Sequence, residues 1–293
     1  MLNSTRAFFY EAKKVRGYGL LKALHGYVYL RWPYRYIAAA LYLLHPPRLL
    51  RGLAGLVLGE RSAERVHTGP RYAFSQSYHA KVLPLDAARR LIEVGREIRL
   101  HLPEKIIPYS TARDIVLANP MHVAVLDCPC RAARANPCLP LGVCLIVGEP
   151  FASFVVEHHP RRSRRITAAE AIKIMHAERA RGRVQHAFFK EAMFGRFFAI
   201  CNCCGCCCVA MEMQRAGAEM LASSGFVAVV DEAQCLGCGN CVRLCQFHAL
   251  SVVGDRCRVD GAKCMGCGVC EAACAVGAVR LARDASKGEP LEI

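Results

Sequence analysis

From Lys81 onward, hydrophobic and polar positions follow recognisable periods. Asp86 stands as a cap before Leu91, Ile92, Val94 and Ile98, whose spacing is roughly helical, and Ser110 stands likewise before a second helix running toward Leu117. The short β-favouring runs 122–126, 143–147 and 226–230 predict strands. Thr167 with Glu170 has the form of a capping box ahead of a helix over 168–180. Residues 75–230 therefore read as a mixed α/β domain whose cysteines fall where strands give way to loops.

Residues 1–74 have another texture, with 12 Lys/Arg, three acids and interleaved Phe, Tyr and Trp. Their apolar stretches, 37–44 and 53–58, are separated by His45, Pro46, Pro47, Arg48 and Arg51. Neither approaches the roughly 20 apolar residues of a spanning helix. A basic, amphipathic helical region is expected, packed on its own protein or a partner, or lying in the membrane interface with its aromatic side down.

Composition narrows the class. Hydrophobic residues make up 54% and charged residues 22% of the 293 positions, which excludes a disordered chain. The 19 cysteines are odd in number, in a chain too long to need disulfide staples, so thiolate ligation of metal in a reducing cytoplasm is the expectation. No cleavable signal is evident in the first 35 residues, which mix Lys, Arg, Glu and aromatics. The net charge of +15 is uneven: residues 1–234 carry 32 Lys+Arg against 18 Asp+Glu, residues 235–293 carry 7 against 6.

The C-terminal residues contain a repeat. Cys235, Cys238, Cys241 and Cys245 recur as Cys264, Cys267, Cys270 and Cys274, offset by 29 positions. In C-x2-C-x2-C-x3-C three thiolates reach three corners of a cubane, the fourth is displaced by a helical turn, and a second copy lets fourth ligands be exchanged. Gly237, Gly239, Gly266 and Gly268 suit a loop that needs positive φ and aims N–H groups at sulfur. Two four-cysteine zinc knuckles are the alternative.

Residues 235–281 resemble a bacterial-type 2[4Fe–4S] ferredoxin module. The resemblance implies one cluster on Cys235, Cys238, Cys241 and Cys274, another on Cys264, Cys267, Cys270 and Cys245, and a pseudo-twofold relation between the repeats. Proline usually follows the fourth cysteine in such modules, and Gln246 and Ala275 stand there instead. Cys257, between the repeats, reads as a buried small hydrophobe.

Ten cysteines remain. Cys128, Cys130, Cys138 and Cys144 supply four thiolates from a loop between two predicted strands, enough for a third [4Fe–4S] cluster, with Arg131 and Arg134 placed to offset its charge. Cys201, Cys203, Cys204, Cys206, Cys207 and Cys208 are too dense for ordinary packing, and adjacent cysteines cannot all turn toward one metal. A subset closing a further cluster, ligands shared with the first group, zinc, and redox-active thiols all remain open.

The segments Tyr78-His-Ala-Lys-Val, Asp127-Cys-Pro-Cys-Arg, Val147-Gly-Glu-Pro-Phe, Ile200-Cys-Asn-Cys-Cys-Gly-Cys-Cys-Cys and Ser223-Ser-Gly, with the two cysteine runs, make the chain similar to a group of larger 4Fe–4S binding, polyferredoxin-like proteins of anaerobic bacteria and archaea. His158 and His159, beside Arg161, Arg162, Arg164 and Arg165, read as a solvent-facing loop, its arginines suited to an acidic redox protein. No phosphate loop or dinucleotide fingerprint is present.

The whole reads as an α+β protein: a basic helical region over 1–74, a cysteine-rich domain over 75–230 and a ferredoxin-like domain over 231–293. Each [4Fe–4S]2+ cluster with its thiolates carries about −2, so two would take the C-terminal part from +1 to about −3. The expected function is relay of single low-potential electrons between protein redox partners, without bond-making catalytic residues, in the cytoplasm or peripheral to the membrane's inner face. An oxidoreductase or reductive activator with a substrate-accessible cluster in the 128–208 region is the alternative. An iron–sulfur redox sensor is the third, and the lack of a helix-turn-helix argues against nucleic acid.

Overall fold

The structure, a computed structural model, describes residues 1–44, 78–94, 98–101, 114–117 and 122–291. Three helices open it, α1 (Asn3–Lys14), α2 (Leu20–Arg31) and α3 (Pro33–Leu44). The middle follows as β1 (Tyr78–Leu83), α4 (Leu85–Glu93), β2 (Ile98–His101), β3 (Asp114–Leu117), β4 (Val123–Asp127), α5 (Pro129–Ala132), β5 (Gly142–Val147) and α6 (Phe151–His158). It continues as β6 (Ser163–Ile166), α7 (Ala168–Ala180), β7 (Val184–Lys190), β8 (Arg196–Cys203), α8 (Val209–Arg215) and β9 (Leu221–Ala222). The C-terminal elements are β10 (Phe226–Val230), α9 (Asn240–Leu244), β11 (Leu250–Val253), β12 (Arg256–Val259), α10 (Val269–Ala272) and β13 (Val279–Arg283).

Among the described residues, nine strands build one sheet in the order β6-β4-β5-β8-β7-β1-β9, with β2 joined through β3 to β8. Pairings are antiparallel except β1 with β9 and β3 with β8. Helices cover both faces: Leu91, Ile92, Ala171 and Met175 pack with Leu145, Phe189 and Ile200 on one, and Phe154, Met211 and the N-terminal helices pack with Leu126 and Phe198 on the other. With both faces covered, every residue of β7 is buried and its sequence carries no polar alternation.

The helix over 168–180 and the strands over 143–147 and 226–230 form where the pattern places them, and Thr167 Oγ1 accepts the Glu170 N–H at 3.2 Å. Two expectations are corrected. Asp86 lies in the first turn of α4, whose cap position is Pro84, and α4 stops at Glu93, so Ile98 belongs to β2. Residues 114–117 are a strand paired with 98–101, since β-branched Ile115 and Val116 suit an extended partner better than a helix end. Ser110 lies outside the described residues, as does the 53–58 stretch.

The basic N-terminal helices lie on their own protein along one face. Phe8, Ala23, Tyr29, Leu30 and Ile37 belong to the core beneath the sheet, and a Cβ at Gly26 would come within 2.2 Å of the Ala192 carbonyl. The opposite face of α2 leaves Leu20, Leu21 and Leu24 exposed. Among the described residues no helix is long and apolar enough to cross a membrane.

Lys190, buried at the end of β7, sits over the rings of Tyr29 and Tyr36 at 4.8 and 5.2 Å. Burial lowers its pKa to about 7. The unfolded value is about 10.4, so between these limits the unfolded chain binds more protons and stability rises with pH. The melting temperature of the native chain should climb relative to Lys190→Met from pH 7 to 10; parallel curves would discard this account.

Candidate metal centres

The C-terminal part holds two thiol-lined cavities. One is lined by Cys245, Cys264, Cys267 and Cys270, the other by Cys235, Cys238, Cys241 and Cys274 together with Cys257. Each thus takes three cysteines from one run and the fourth from the other. Gly239 and Gly268, at φ 71° and 76°, turn the chain into α9 and α10, and Gly237 and Gly266 adopt φ 60° and 62°. Backbone N–H groups point at the sulfurs: Ala228 donates to Cys264 Sγ at 3.4 Å, Cys257 to Cys235 Sγ at 3.4 Å, and Ala249 to Cys245 Sγ at 3.3 Å.

Ala228 and Cys257 are themselves 29 positions apart, so they are equivalent in the repeat and each serves the other copy's first cysteine. This explains the isolated Cys257. It fills a place where the other copy has alanine, 3% exposed, and burial raises its thiol pKa to about 12.

Residues 228–251 match the 4Fe-4S binding domain family. That span carries Cys235, Cys238, Cys241 and Cys245, the first of the two runs. No curated protein matches the chain. The 4Fe-4S binding segment fits its group on this structure's own terms, with sulfur ligands only and N–H donors already aimed at them. Beside the second run, Arg179 of α7 donates to the Cys267 carbonyl, and its buried Nε and Nη2 have no hydrogen-bond partner among the described residues. Burial pulls the Arg179 pKa down, against the pull of Cys267 and Cys270.

Gln246, where related modules carry proline, accepts the Gly205 N–H at 2.7 Å and so ties the 4Fe-4S binding segment to the dense cysteine turn. Ser224, between β9 and β10, holds the second run in turn, its N–H donating to the Met265 carbonyl at 3.1 Å and its hydroxyl to the Gly266 carbonyl at 2.7 Å.

The ten middle cysteines divide by space and not by chain order. Antiparallel β5 and β8 set Cys144 opposite Cys201, and Cys203 follows on the same face of β8. Cys128, Cys130 and Cys208 join these three, so that Cys128, Cys130, Cys144, Cys201, Cys203 and Cys208 gather at one place. The neighbouring thiols of Cys130 and Cys144 draw the Cys128 thiol well down, and those of Cys130 and Cys203 do the same for Cys208. All six, with Cys204 and Cys207 at its edge, line one cavity whose other wall is apolar, with Tyr29, Leu30, Ile37, Phe188 and Phe198. Cys201 and Cys203 therefore lie within β8 and not where a strand gives way to a loop, and Cys144 lies within the predicted strand over 143–147 and not in the loop before it.

Cys138 instead joins Cys204, Cys206 and Cys207, their four Sγ atoms all within 4.8 Å of one another. Neighbouring Cys206 and Cys207 do turn toward one centre, with Sγ atoms 3.7 Å apart.

Arg131 is 1% exposed behind the six thiols, its guanidinium 2.5 Å from Glu178 and 3.0 Å from the Asn202 carbonyl. Arg134 pairs with Glu212 and donates to the Cys207 carbonyl at 3.1 Å. His186, also buried, faces Cys208, and neither of its ring nitrogens has a partner among the described residues. Burial lowers its pKa to about 4, keeping it neutral. Glu178, Arg179 and His186 escape sequence reasoning because no local pattern marks them.

His158 and His159 do not form a solvent-facing loop. Both are half-buried at the end of α6, where His158 Nε2 meets Thr5 Oγ1 at 2.8 Å and His159 Nε2 meets the Leu30 carbonyl at 2.8 Å. They fasten the N-terminal helices. Arg162 stacks on Tyr34 at 4.3 Å, while Arg164 and Arg165 pair with Glu170 and Glu149.

Proposed function

We propose that the chain is an iron–sulfur electron-transfer protein that relays single low-potential electrons between redox partners. The observation that carries this reading is the pair of C-terminal cavities, each lined by four thiols with the fourth exchanged between runs. Bound there, [4Fe–4S] clusters supply one-electron storage. The ligand sets are Cys235, Cys238, Cys241 and Cys274, then Cys264, Cys267, Cys270 and Cys245, and the crosswise N–H donors support a pseudo-twofold duplication. Similarity to polyferredoxin-like proteins belongs with this reading.

The chain's own residues position, insulate and compensate charge. The six-thiol cavity of Cys128, Cys130, Cys144, Cys201, Cys203 and Cys208 is the candidate for a further cluster. Consecutive residues of α7 reach both places: Glu178 holds Arg131 behind Cys128, and Arg179 holds the Cys267 loop. This link through one helix supports electron passage between the C-terminal module and the middle of the chain.

The oxidoreductase reading keeps one observation in its favour. Six thiols exceed the four of a single cubane, beside an apolar wall able to receive substrate. A saturated carrier leaves every EPR signal unchanged by candidate substrates.

Anaerobic purification with iron and sulfide analysis, followed by EPR titration, tests the proposal. About eight cluster irons per chain with matching sulfide are expected from the C-terminal module, and about twelve if the six-thiol cavity is loaded. A chain holding zinc in place of iron there would overturn it. Peripheral membrane contact through residues 1–74 rests on exposed Leu20, Leu21 and Leu24 beside basic residues. Flotation with anionic liposomes should be lost when these three become serine, and equal behaviour would remove the membrane from the proposal.

A further inference from the structure

We infer that Cys138, Cys204, Cys206 and Cys207 form a separate site for one tetrahedral, thiolate-seeking divalent ion, zinc or ferrous iron, and not for a cluster. The argument is one of size. Four sulfurs around a single ion at about 2.3 Å stand about 3.8 Å apart from one another. Four sulfurs around a cubane, whose irons are about 2.7 Å apart, stand roughly 6.4 Å apart. Here all four Sγ atoms lie within 4.8 Å of one another, with Cys138 to Cys206 at 3.1 Å and Cys206 to Cys207 at 3.7 Å. Among the described residues no other group of three or more His, Cys, Asp or Glu ligand atoms is this compact, so the thiols of the C-terminal cavities supply an internal contrast.

The backbone holds this arrangement from both sides. Cys204, Cys206 and Cys207 come from one turn between β8 and α8, in which the Cys204 carbonyl accepts the Cys208 N–H at 3.0 Å. Gly205 at its tip is pinned by Gln246 at 2.7 Å through its N–H and by Arg215 at 2.6 Å through its carbonyl. Cys138 arrives from a loop 66 residues earlier than Cys204, so an ion would close a long chain loop. Four thiolates on a divalent ion total −2, and Arg131, Arg134, Arg183 and Arg215 surround the turn. Cys206 is exposed, which gives the ion an entry path.

Cys204 and Cys207 also line the six-thiol cavity. An ion on the quartet would therefore lock the wall between that cavity and solvent. The inference concerns a different set of sulfurs from the C-terminal clusters and stands whether or not those are loaded.

The test compares intact protein with Cys206→Ser and Cys138→Ser, all purified anaerobically, by metal and sulfide analysis and EPR. The intact chain should carry one equivalent of zinc, or of iron unmatched by sulfide, and each variant should lose that equivalent with sulfide and cluster EPR signals unchanged. Zinc analysis against unmatched iron tells the two ions apart. Loss of about four irons with their sulfide would show a cubane, and retention of all metal would show that the quartet binds nothing; either overturns the inference. Should the variants fail to fold, cobalt exchange into the intact chain supplies a second reading. Visible bands of a tetrahedral cobalt tetrathiolate with sulfide retained support the site, and their absence, or a Cys138–Cys206 disulfide by mass, overturns it.

Discussion

Arg131→Met is expected to lower folding stability by about 3–5 kcal/mol, because it strands a carboxylate in the interior. Glu178 is 1% exposed, and its remaining ion pair is with half-exposed Arg181 at 3.1 Å. Arg131 also closes on the Pro140 and Asn202 carbonyls, so the substitution leaves acceptors of two segments without their donor. The double substitution Arg131→Met with Glu178→Met should recover most of the loss, since a buried ion pair replaced whole by apolar side chains is often neutral. Anaerobic thermal and urea unfolding of the three proteins measures this. A single-site cost within about 1 kcal/mol of the double would mean that water, and not the pair, solvates the site.

Gly266→Ala is expected to abolish loading of the cavity lined by Cys245, Cys264, Cys267 and Cys270. The position has φ +62°, and an added Cβ would lie 2.2 Å from the Phe226 carbonyl oxygen and 2.3 Å from Ser224 Oγ. One of these neighbours is backbone and the other a buried hydroxyl already bonded to Gly266, so neither has room to yield. The loop between Cys264 and Cys267 must then leave β10, which carries the Ala228 N–H away from Cys264. The control is Gly277→Ala, at φ +68° with nothing within 4 Å of the new Cβ, which should cost only about 1 kcal/mol of backbone strain. Iron analysis should show a loss of about four irons per chain for Gly266→Ala and none for Gly277→Ala. Equal iron in both variants would detach the Ser224 contact from ligand geometry.

Elements whose signals are local were legible. Thr167 and Glu170 announce α7 because a capping box is satisfied within one turn, and 226–230 reads as a strand because its β-favouring run is bounded on both sides. The strands β7 and β8 were not, because burial on both faces removes the alternation by which a strand is recognised. For the same reason His186 and Lys190 gave no warning of being buried. Gln246 carried a signal that local reading left without a partner: it departs from proline, and the reason lies 41 residues away in the Gly205 N–H.

What the sequence determined by itself is the chemistry. Nineteen cysteines, eight of them in two copies of one spacing, specify soft thiolate sites because each copy sets three thiols on a single tight loop. What only the tertiary structure decided is how the ten between Cys128 and Cys208 are shared. Cys138 leaves its neighbours in the chain to join Cys204, Cys206 and Cys207, while Cys128, Cys130 and Cys144 join Cys201, Cys203 and Cys208. That partition depends on strand register between β5 and β8 and on loop closure, and a one-residue slip of β5 would send Cys144 to the other face of the sheet.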